Sequence, residues 1–354
     1  DMDFATAPFV TDAIRKRCEN EVLGYTGKPD SYYNAIINWV KQRYDLIVTK
    51  EVINFVPGIV PGIGMAMNCF TQKGDKVMIQ PPVYHPFAWV TTRKERTLVI
   101  NPLRWENGMY RMDLDAFREQ IKGCKLFILC NPHNPGGVVW TEAELRAIAD
   151  ICYDEKVLVF SDEIHADLTL PPHTHRPFAT VSEKARMNSV TFMSPSKVFN
   201  MPGLSASHAL IFNEDLRKRF RIYMDAGELD MGHVFAFLSV EAAYSHGTEW
   251  LDQCLAYIQG NIDFVDEFLK KHAPKIKAIR PEASYLVWLD CRELELSQKD
   301  LNEFFVDKAH LALNDGEMFG KEGIGFMRLN VASPRCIIEK AMKQLADAYQ
   351  LYIK

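Results

Sequence analysis

Short apolar runs alternate with amphipathic stretches between about residue 50 and residue 215. Short apolar runs bounded by turn residues are typical of strands that are buried on both faces of a parallel sheet. Because intervening helices cover both faces of such a sheet, the pattern predicts an α/β domain. The predicted strands are residues 77–79, 126–129, 157–160, 190–193 and 209–212.

One helix of this region carries its own start signal. Thr141 and Glu144 form a capping-box pattern, in which each side chain accepts a hydrogen bond from a backbone N–H of the first turn. Leu145, Ile148 and Cys152 follow at helical spacing. The sequence therefore predicts a helix that begins after Thr141 and packs on the sheet between its second and third predicted strands.

After about residue 214 the pattern becomes mostly helical, and this part predicts a smaller α+β domain. Ser333 and Pro334 are typical of the N-cap and first position of a final helix. The other predicted helices are residues 215–224, 234–244 and 250–271, and the predicted strands are residues 285–289 and 326–330.

The composition is that of an ordinary globular protein. The chain has 354 residues, of which 47% are hydrophobic and 25% charged, enough for one large domain or for a large and a smaller one. The net charge of −5 leaves no basic excess to neutralise phosphates, which argues against nucleic acids and anionic membranes as partners. No apolar stretch reaches the roughly 18 residues of a membrane helix, so we expect no membrane span.

The start of the chain and its cysteines bear on the compartment. Residues 1–4 do not resemble a signal peptide, and we expect the natural N-terminus to be missing. None of the eight cysteines forms a C-x-x-C pair, which favours buried free thiols in a reducing cytoplasm over a zinc site or disulfides. His173 and His175 lie in a proline-rich stretch, and we interpret them as loop residues instead of metal ligands.

Lys197 follows closely after the predicted strand 190–193, next to Ser194 and Ser196. A lysine beside a buried strand is costly to desolvate, and one reason to place it there is an amine nucleophile that forms an imine. The two serine hydroxyls could donate hydrogen bonds to a phosphate. Taken alone, a structural loop lysine also explains the motif.

The sequence Asp162-Glu163-Ile164-His165 follows the predicted strand 157–160. A carboxylate at the C-terminal end of a parallel strand faces the crevice where α/β proteins bind ligands. Such an acid can pair with the pyridine nitrogen of pyridoxal-5′-phosphate (PLP) and keep that nitrogen protonated. A metal-ligand pair or a surface loop explains the same residues equally well.

Two turn motifs complete the candidate chemistry. Residues 131–137, N-P-H-N-P-G-G, form either a plain turn or a source of an amide donor for the phenolic oxygen of PLP. Residues 57–64 are a glycine loop ahead of an apolar helix, which presents N–H groups and a positive dipole end to a phosphate. No strand with a following acid stands about 20 residues further on, which argues against a nicotinamide dinucleotide.

The order of these motifs resembles the class I/II aminotransferase family over essentially the whole chain. P-P-V-Y-H at 81–85 follows the glycine loop, and R-L-N-V-A-S-P-R at 328–335 is the last motif. The amino-acid sequence of the motifs is most similar to that of the MalY/PatB group of cystathionine β-lyases and cysteine-sulfur lyases. The segments that carry this similarity are residues 22–28, 58–62, 131–137 and 162–168.

The resemblance implies PLP fold type I, the fold of aspartate aminotransferase. This is an α/β fold, with a large domain built on a mostly parallel seven-stranded sheet and a smaller α+β domain. We expect the large, PLP-binding domain to comprise residues 26–250 and the small domain to comprise residues 1–25 and 251–354.

The resemblance also implies which side chains hold the PLP ring. Lys197 would form the Schiff base with the cofactor, and Asp162 would pair with its pyridine nitrogen. Asn134 would donate to the ring oxygen, and His165 occupies a place near that oxygen where many relatives carry a tyrosine. Tyr84 would stack on the ring face.

For the cofactor phosphate, the resemblance implies the backbone N–H groups of Ile59 and Val60 and the hydroxyls of Ser194 and Ser196. Many relatives also carry an arginine or lysine eight residues after the Schiff-base lysine. Here that position is Ser205. We therefore expect either a weaker hold on the phosphate or compensation by another group.

On the substrate side, the resemblance implies that Arg328 clamps the substrate carboxylate in a bidentate manner. His85 falls where some relatives carry a second tyrosine, beside the substrate. Tyr25 resembles the tyrosine that reaches across a dimer interface into the neighbouring site, so we expect a homodimer with shared active sites. Lys197, Tyr84 and Tyr25 would be the catalytic side chains.

The implied activity is α,β-elimination from cystathionine or another cysteine-type amino acid to pyruvate, ammonia and a thiol. The same residues serve transamination, so a PLP-dependent aminotransferase is the alternative enzyme. A regulatory interaction protein of this fold with little turnover is an alternative of another class. The sequence leaves open which sulfur amino acid is the natural substrate.

Overall fold

The chain forms an α/β region followed by a mostly helical region with its own small sheet, in a computed structural model that describes residues 1–352. The strands are β1 Ile53–Val56, β2 Lys76–Ile79, β3 Thr97–Ile100, β4 Arg104–Glu106, β5 Met109–Arg111, β6 Cys124–Cys130, β7 Leu158–Asp162, β8 Ser189–Met193, β9 Ser207–Leu210, β10 Lys277–Ile279, β11 Leu286–Asp290, β12 Asn314–Asp315 and β13 Phe326–Asn330. The helices are α1 Pro8–Cys18, α2 Asp30–Tyr44, α3 Ile59–Phe70, α4 Pro86–Arg93, α5 Leu114–Gln120, α6 Glu142–Asp154, α7 Glu183–Met187, α8 Glu214–Asp225, α9 Val234–His246, α10 Thr248–His272, α11 Gln298–Glu303 and α12 Arg335–Tyr352.

Within the described residues, seven strands form one sheet in the order β1-β9-β8-β7-β6-β2-β3. Strands β2, β3, β6, β7 and β8 run parallel, whereas β9 is antiparallel to both β8 and β1. The expected seven-stranded, mostly parallel sheet is therefore confirmed. Two of its strands were not predicted. β1 is buried throughout, but the polar Asn54 interrupts its apolar run, and β3 lies at the sheet edge with partly exposed side chains.

The register of the sheet brings the ends of three strands together. Cys130 pairs with Asp162, and Asp162 in turn pairs with Phe192. Because these strands are parallel, the segments that follow them all begin at the same edge of the sheet. Motifs that lie more than thirty residues apart in the sequence therefore meet at that edge.

The helices follow the sequence pattern closely. The capping box at the start of α6 is confirmed, since Thr141 Oγ1 accepts from the Glu144 N–H and Glu144 Oε2 accepts from the Thr141 N–H. Helix α3 lies close to the sheet at Gly62, where an added Cβ would stand 2.9 Å from Val56 Cγ2. Among the described residues, no helix is both long and apolar enough to cross a membrane.

Strands β10, β11, β13 and β12 form a separate antiparallel sheet in that order. Its face is packed by aromatic rings, with Trp288 stacked on Phe326 at 5.2 Å between centroids. The final helix begins at Arg335, slightly later than predicted, and the Ser333 hydroxyl donates to Asp3 Oδ2. The division into a large domain of residues 26–250 and a small domain of the remaining residues stays a prediction. The boundary after residue 250 falls near the start of α10.

His208 in β9 is a buried titratable group that affects stability. Neither ring nitrogen has a hydrogen-bond partner among the described residues, and burial lowers its pKa to about 3. A histidine whose pKa is lower in the folded than in the unfolded protein contributes stability above about pH 6.5 and loses it as the pH falls. We expect this side chain alone to lower the free energy of unfolding by about 2 kcal/mol between pH 7 and pH 5.

The measurement is urea unfolding of the wild type and of His208→Gln at several pH values between 5 and 8. The variant should lose less stability on acidification than the wild type, whatever its stability at pH 7. Equal pH slopes for the two proteins would contradict this account of His208.

Candidate active site

Residues from all the sequence motifs line one cavity of about 500 Å³. It lies at the carboxyl ends of β6, β7 and β8 and is bounded on the other side by residues of β11, β12 and β13. The volume suits a small-molecule ligand. The sequence-predicted residues that line it are Ile59, Val60, Tyr84, His85, Asn134, Asp162, His165, Ser196, Lys197 and Arg328.

Lys197 presents its amine to this cavity from the turn after β8. Its Nζ lies 2.9 Å from Asp1 Oδ1. Burial lowers the pKa of the Lys197 ammonium, and the nearby charge of Arg328 lowers it further. A lowered pKa increases the neutral amine fraction, which is the form that attacks a carbonyl.

Asp162, the last residue of β7, places a buried carboxylate on the cavity wall. Its Oδ1 accepts a hydrogen bond of 3.1 Å from the Ile164 N–H. Burial raises the pKa of Asp162 to about 7, and the neighbouring Glu163 also raises it, while the Ile164 bond and Lys197 act in the opposite direction. A carboxylate in this state is stabilised by any cation that reaches it through the cavity.

Arg328 on β13 is held by two asparagines. Its Nη1 donates to Asn134 Oδ1 at 2.9 Å, its Nη2 donates to Asn314 Oδ1 at 2.7 Å, and its guanidinium lies 4.7 Å from the ring centroid of Phe319. Burial lowers the pKa of Arg328 to about 10, so it remains charged at neutral pH. Because Asn134 turns its oxygen to Arg328, its amide N–H₂ group is left to donate elsewhere in the cavity.

The opposite end of the cavity is suited to an anion. Gly58 adopts a left-handed φ of 114° ahead of α3, and the first N–H groups of this helix, those of Ile59 and Val60, have no partner within the helix. Ser205 also lines the cavity, in the left-handed conformation. Of the described residues that line the cavity, only Lys197 and Arg328 are lysine or arginine.

Ser194 and Ser196 differ in their placement, although both were predicted to hold the phosphate. Ser196 lines the cavity, whereas Ser194 does not. The Ser194 hydroxyl lies 2.8 Å from Ser196 Oγ, donates to the Ala206 carbonyl, and accepts from the Ser196 N–H. It therefore supports the turn behind Ser196 without facing the cavity, and its contact with a phosphate stays a prediction.

Two histidines and a tyrosine occupy the wall between the two ends. Burial lowers the pKa of His165 to about 3, with further lowering by Lys197 and Arg328, and burial likewise lowers the pKa of His85. Both imidazoles are therefore neutral at pH 7. Burial raises the pKa of Tyr84, so its phenol keeps its proton.

The lining residues that were not singled out from the sequence include three polar ones, Tyr285, Asn314 and Asn330. Tyr285 directly precedes β11 and lies 6.3 Å from His165 between ring centroids. Asn314 belongs to a strand of only two residues, whose pairing with Arg328 has no local sequence signal. Asn330 is the N of the R-L-N motif, so that motif could have identified it.

Tyr25 does not reach the cavity of its own chain. It is 98% exposed, in a stretch without regular secondary structure between α1 and α2. Val22 and Leu23 in the same stretch are also exposed, at 71% and 63%. Because Tyr25 is so exposed, it could contribute only to the active site of another molecule, which is the role that the resemblance implies.

A model of the aminotransferase class I and II family matches residues 1–345. The chain belongs to this family. It is 37% identical to cystathionine β-lyase PatB of Bacillus subtilis (strain 168) and 30% identical to protein MalY of Escherichia coli (strain K12), in each case over 98% of this chain and 90% of the relative. Cystalysin from Treponema denticola, whose crystal structure contains PLP, superposes with a TM-score of 0.97 at 34% identity, over 100% of this chain and 90% of that one.

These findings confirm the family, the MalY/PatB group and PLP fold type I, and PLP is the expected cofactor. The residues present fit it. Asp162 offers a buried carboxylate without a bound cation, Lys197 an amine with a lowered pKa, and the start of α3 free N–H groups. Arg328 Nε and His165 Nδ1 are buried without a hydrogen-bond partner among the described residues, as expected of a wall that meets a polar ligand.

The carboxylate of Asp162 should destabilise the protein when no cofactor is bound. Its pKa is raised on folding, so its contribution to stability is present at low pH and is lost as the pH rises through about 7. We expect cofactor-free Asp162→Asn to be more stable than the cofactor-free wild type at pH 8, by about 4 kcal/mol, and to bind PLP more weakly.

Differential scanning calorimetry at pH 5 and pH 8, with and without PLP, checks both effects. The stability gain of the variant should be largest at pH 8 without cofactor. A variant that is less stable at pH 8, or that binds PLP as tightly as the wild type, would contradict this role of Asp162.

Proposed function

We propose that this protein is a PLP-dependent carbon–sulfur β-lyase that converts cystathionine or another cysteine-type amino acid to pyruvate, ammonia and a thiol. The observation that carries the proposal is that Lys197, Asp162 and Arg328 line one cavity in a chain of this family. A relative that is 37% identical carries the name cystathionine β-lyase.

The side chains divide the work of binding the cofactor. Lys197 would hold it covalently through Nζ, Asp162 would keep the ring nitrogen protonated, and the Asn134 amide would donate to the ring oxygen. Tyr84 would cover the ring face. When bound, PLP supplies an electron sink for the bonds broken at Cα and Cβ of the substrate.

Arg328 positions the substrate. Its fork-shaped guanidinium, already fixed by Asn134 and Asn314, binds the α-carboxylate with two parallel hydrogen bonds. Arginine suits this task better than lysine because its donors match the carboxylate geometry. The fixed carboxylate holds Cα within the same cavity as Lys197.

Lys197 and Tyr84 handle the protons. When its amine is free, the neutral Lys197 side chain accepts the proton from the substrate Cα as a general base. The thiolate that leaves Cβ then takes a proton either from Lys197 or from the phenol of Tyr84. The phenol of Tyr84 carries its proton at pH 7, since burial raises its pKa above the ordinary value.

Replacement of Lys197 tests this function. We expect Lys197→Ala to lose an absorption band at roughly 410–430 nm, which arises from the cofactor bound through the lysine, and to lose pyruvate formation from cystathionine. Lys184→Ala is the control, because Lys184 bonds Asp154 on the surface. The measurement is absorbance together with pyruvate release in the absence of any keto acid.

Three outcomes would contradict the proposal. A wild type that releases no pyruvate without an added keto acid would favour the aminotransferase alternative. A cellular phenotype that survives in Lys197→Ala would favour a regulatory interaction protein. A band that persists in this variant would place the cofactor on another residue.

We also propose a homodimer in which Tyr25 enters the active site of the partner subunit. The support is that Tyr25, Val22 and Leu23 are exposed together and that Tyr25 does not reach its own cavity. An exposed apolar segment of this kind is commonly covered by a partner.

Mixing two inactive variants tests the shared site. In a heterodimer of Lys197→Ala and Tyr25→Ala, one of the two sites has both residues intact, so random exchange of subunits should restore about a quarter of the wild-type activity. Each variant alone is the control. No recovery after demonstrated subunit exchange would show that Tyr25 does not act across the interface.

We place the protein in the cytoplasm. The support is that all eight cysteines are free thiols, most of them buried, which suits a reducing compartment.

A further inference from the structure

Glu163, the residue after Asp162, is a buried carboxylate to which the proposed reaction gives no role. Its side chain is fully buried, at 0% exposure, and it does not line the cavity. Asp162 faces the cavity, whereas Glu163 faces the loop that leads to Phe178. Two acids that are adjacent in sequence therefore leave the end of β7 in different directions.

Three hydrogen-bond partners converge on the Glu163 carboxylate. The Ser161 hydroxyl and the Phe178 N–H both donate to Oε1 at 2.8 Å, and His175 Nε2 lies 2.8 Å from Oε2. Each oxygen of the Glu163 carboxylate therefore has a hydrogen-bond partner. The Glu163 N–H also donates to the Phe192 carbonyl of β8, so its backbone is fixed as well.

His175 lies in a loop, as predicted, and the structure adds that it is a buried partner of Glu163. Its side chain is 1% exposed, and its ring contacts Tyr44 at 5.5 Å between centroids. His173, two residues earlier in the same loop, is 40% exposed and lies 3.7 Å from Glu282. Only the second of the two histidines is part of the buried network.

Further titratable groups face this network and the cavity side of Asp162. Around Asp162 stand Cys130, Tyr84 and Lys197, and beyond His175 stand Tyr44, Arg43 and Asp167. Arg43 lies 3.5 Å from Asp167, and the Tyr44 hydroxyl donates to the same carboxylate, so these outer charges are already paired. Among the described residues, the carboxylate adjacent to Asp162 in the sequence is Glu163, and, besides burial, its charge raises the pKa of Asp162.

We propose that Glu163 is a positioning residue for the cofactor acid. Its three hydrogen-bond partners fix the end of β7 so that Asp162 faces the cavity, and its charge adds a second anion behind Asp162. That anion makes a proton shared between Asp162 and a cationic ring nitrogen harder to lose. The inference rests on the proposed function only in that Asp162 serves the PLP ring.

The test is the pH dependence of PLP binding to the full chain, measured by absorbance without any sulfur amino acid. The affinity for PLP should rise with pH as Asp162 ionises, and we call this rising part of the pH profile the limb. Asp162→Asn identifies the limb, because this variant should lack it. In Glu163→Gln, which keeps the side-chain shape but removes the charge, we expect the limb to move down by about one pH unit. Because no turnover is measured, a chain that binds PLP but eliminates no thiol still tests the inference.

Two further variants separate charge from shape. Glu282→Gln removes the acid that lies near the exposed His173 and should leave the limb unchanged. Glu163→Asp keeps the charge while disturbing the contacts, so it should keep the wild-type midpoint even if it lowers thermal stability. It also provides the test if Glu163→Gln does not fold.

Two results would overturn the proposal. One is an unchanged limb in folded Glu163→Gln. The other is a limb that Glu163→Asp displaces as far as Glu163→Gln does. If Glu163→Gln does not fold, the corresponding result is a limb that Glu163→Asp displaces farther than Glu282→Gln does. Either result would show that the charge of Glu163 does not act on Asp162.

Discussion

The carboxylate of Asp162, buried at the end of β7 without a cation against it, is the feature on which the site depends. Burial favours its neutral form and raises its pKa to about 7. In the absence of cofactor, the ionised form of Asp162 is therefore unfavourable, and a protonated pyridine ring beside it would relieve that cost. We expect the stability lost at this position to be recovered when the cofactor binds.

The sheet explains why the other groups are close by. Parallel strands β6, β7 and β8 end at one edge, so the segments that carry Asn134, Asp162 and Lys197 start side by side. The small sheet then supplies Arg328 from the other side of the cavity. Asn134 bonds Arg328 directly and thus links the two sides of the cavity.

Much of this arrangement could be predicted because it follows from local patterns. Buried apolar runs identified most strands of the large sheet, and Lys197, Asp162 and Arg328 each stand at or beside a predicted strand. What escaped depends on contacts between distant parts of the chain. Asn314 meets Arg328 only through the pairing of β12 with β13, and no pattern within the loop distinguishes buried His175 from exposed His173.

The central claim is that Lys197 carries the cofactor in this cavity. Borohydride reduction of PLP-loaded protein, followed by peptide mass spectrometry, tests it most directly, because reduction makes the bond between the lysine and the cofactor permanent. The account expects the phosphopyridoxyl group on the peptide that contains Lys197. A label on a different lysine, or no label on fully loaded protein, would contradict it.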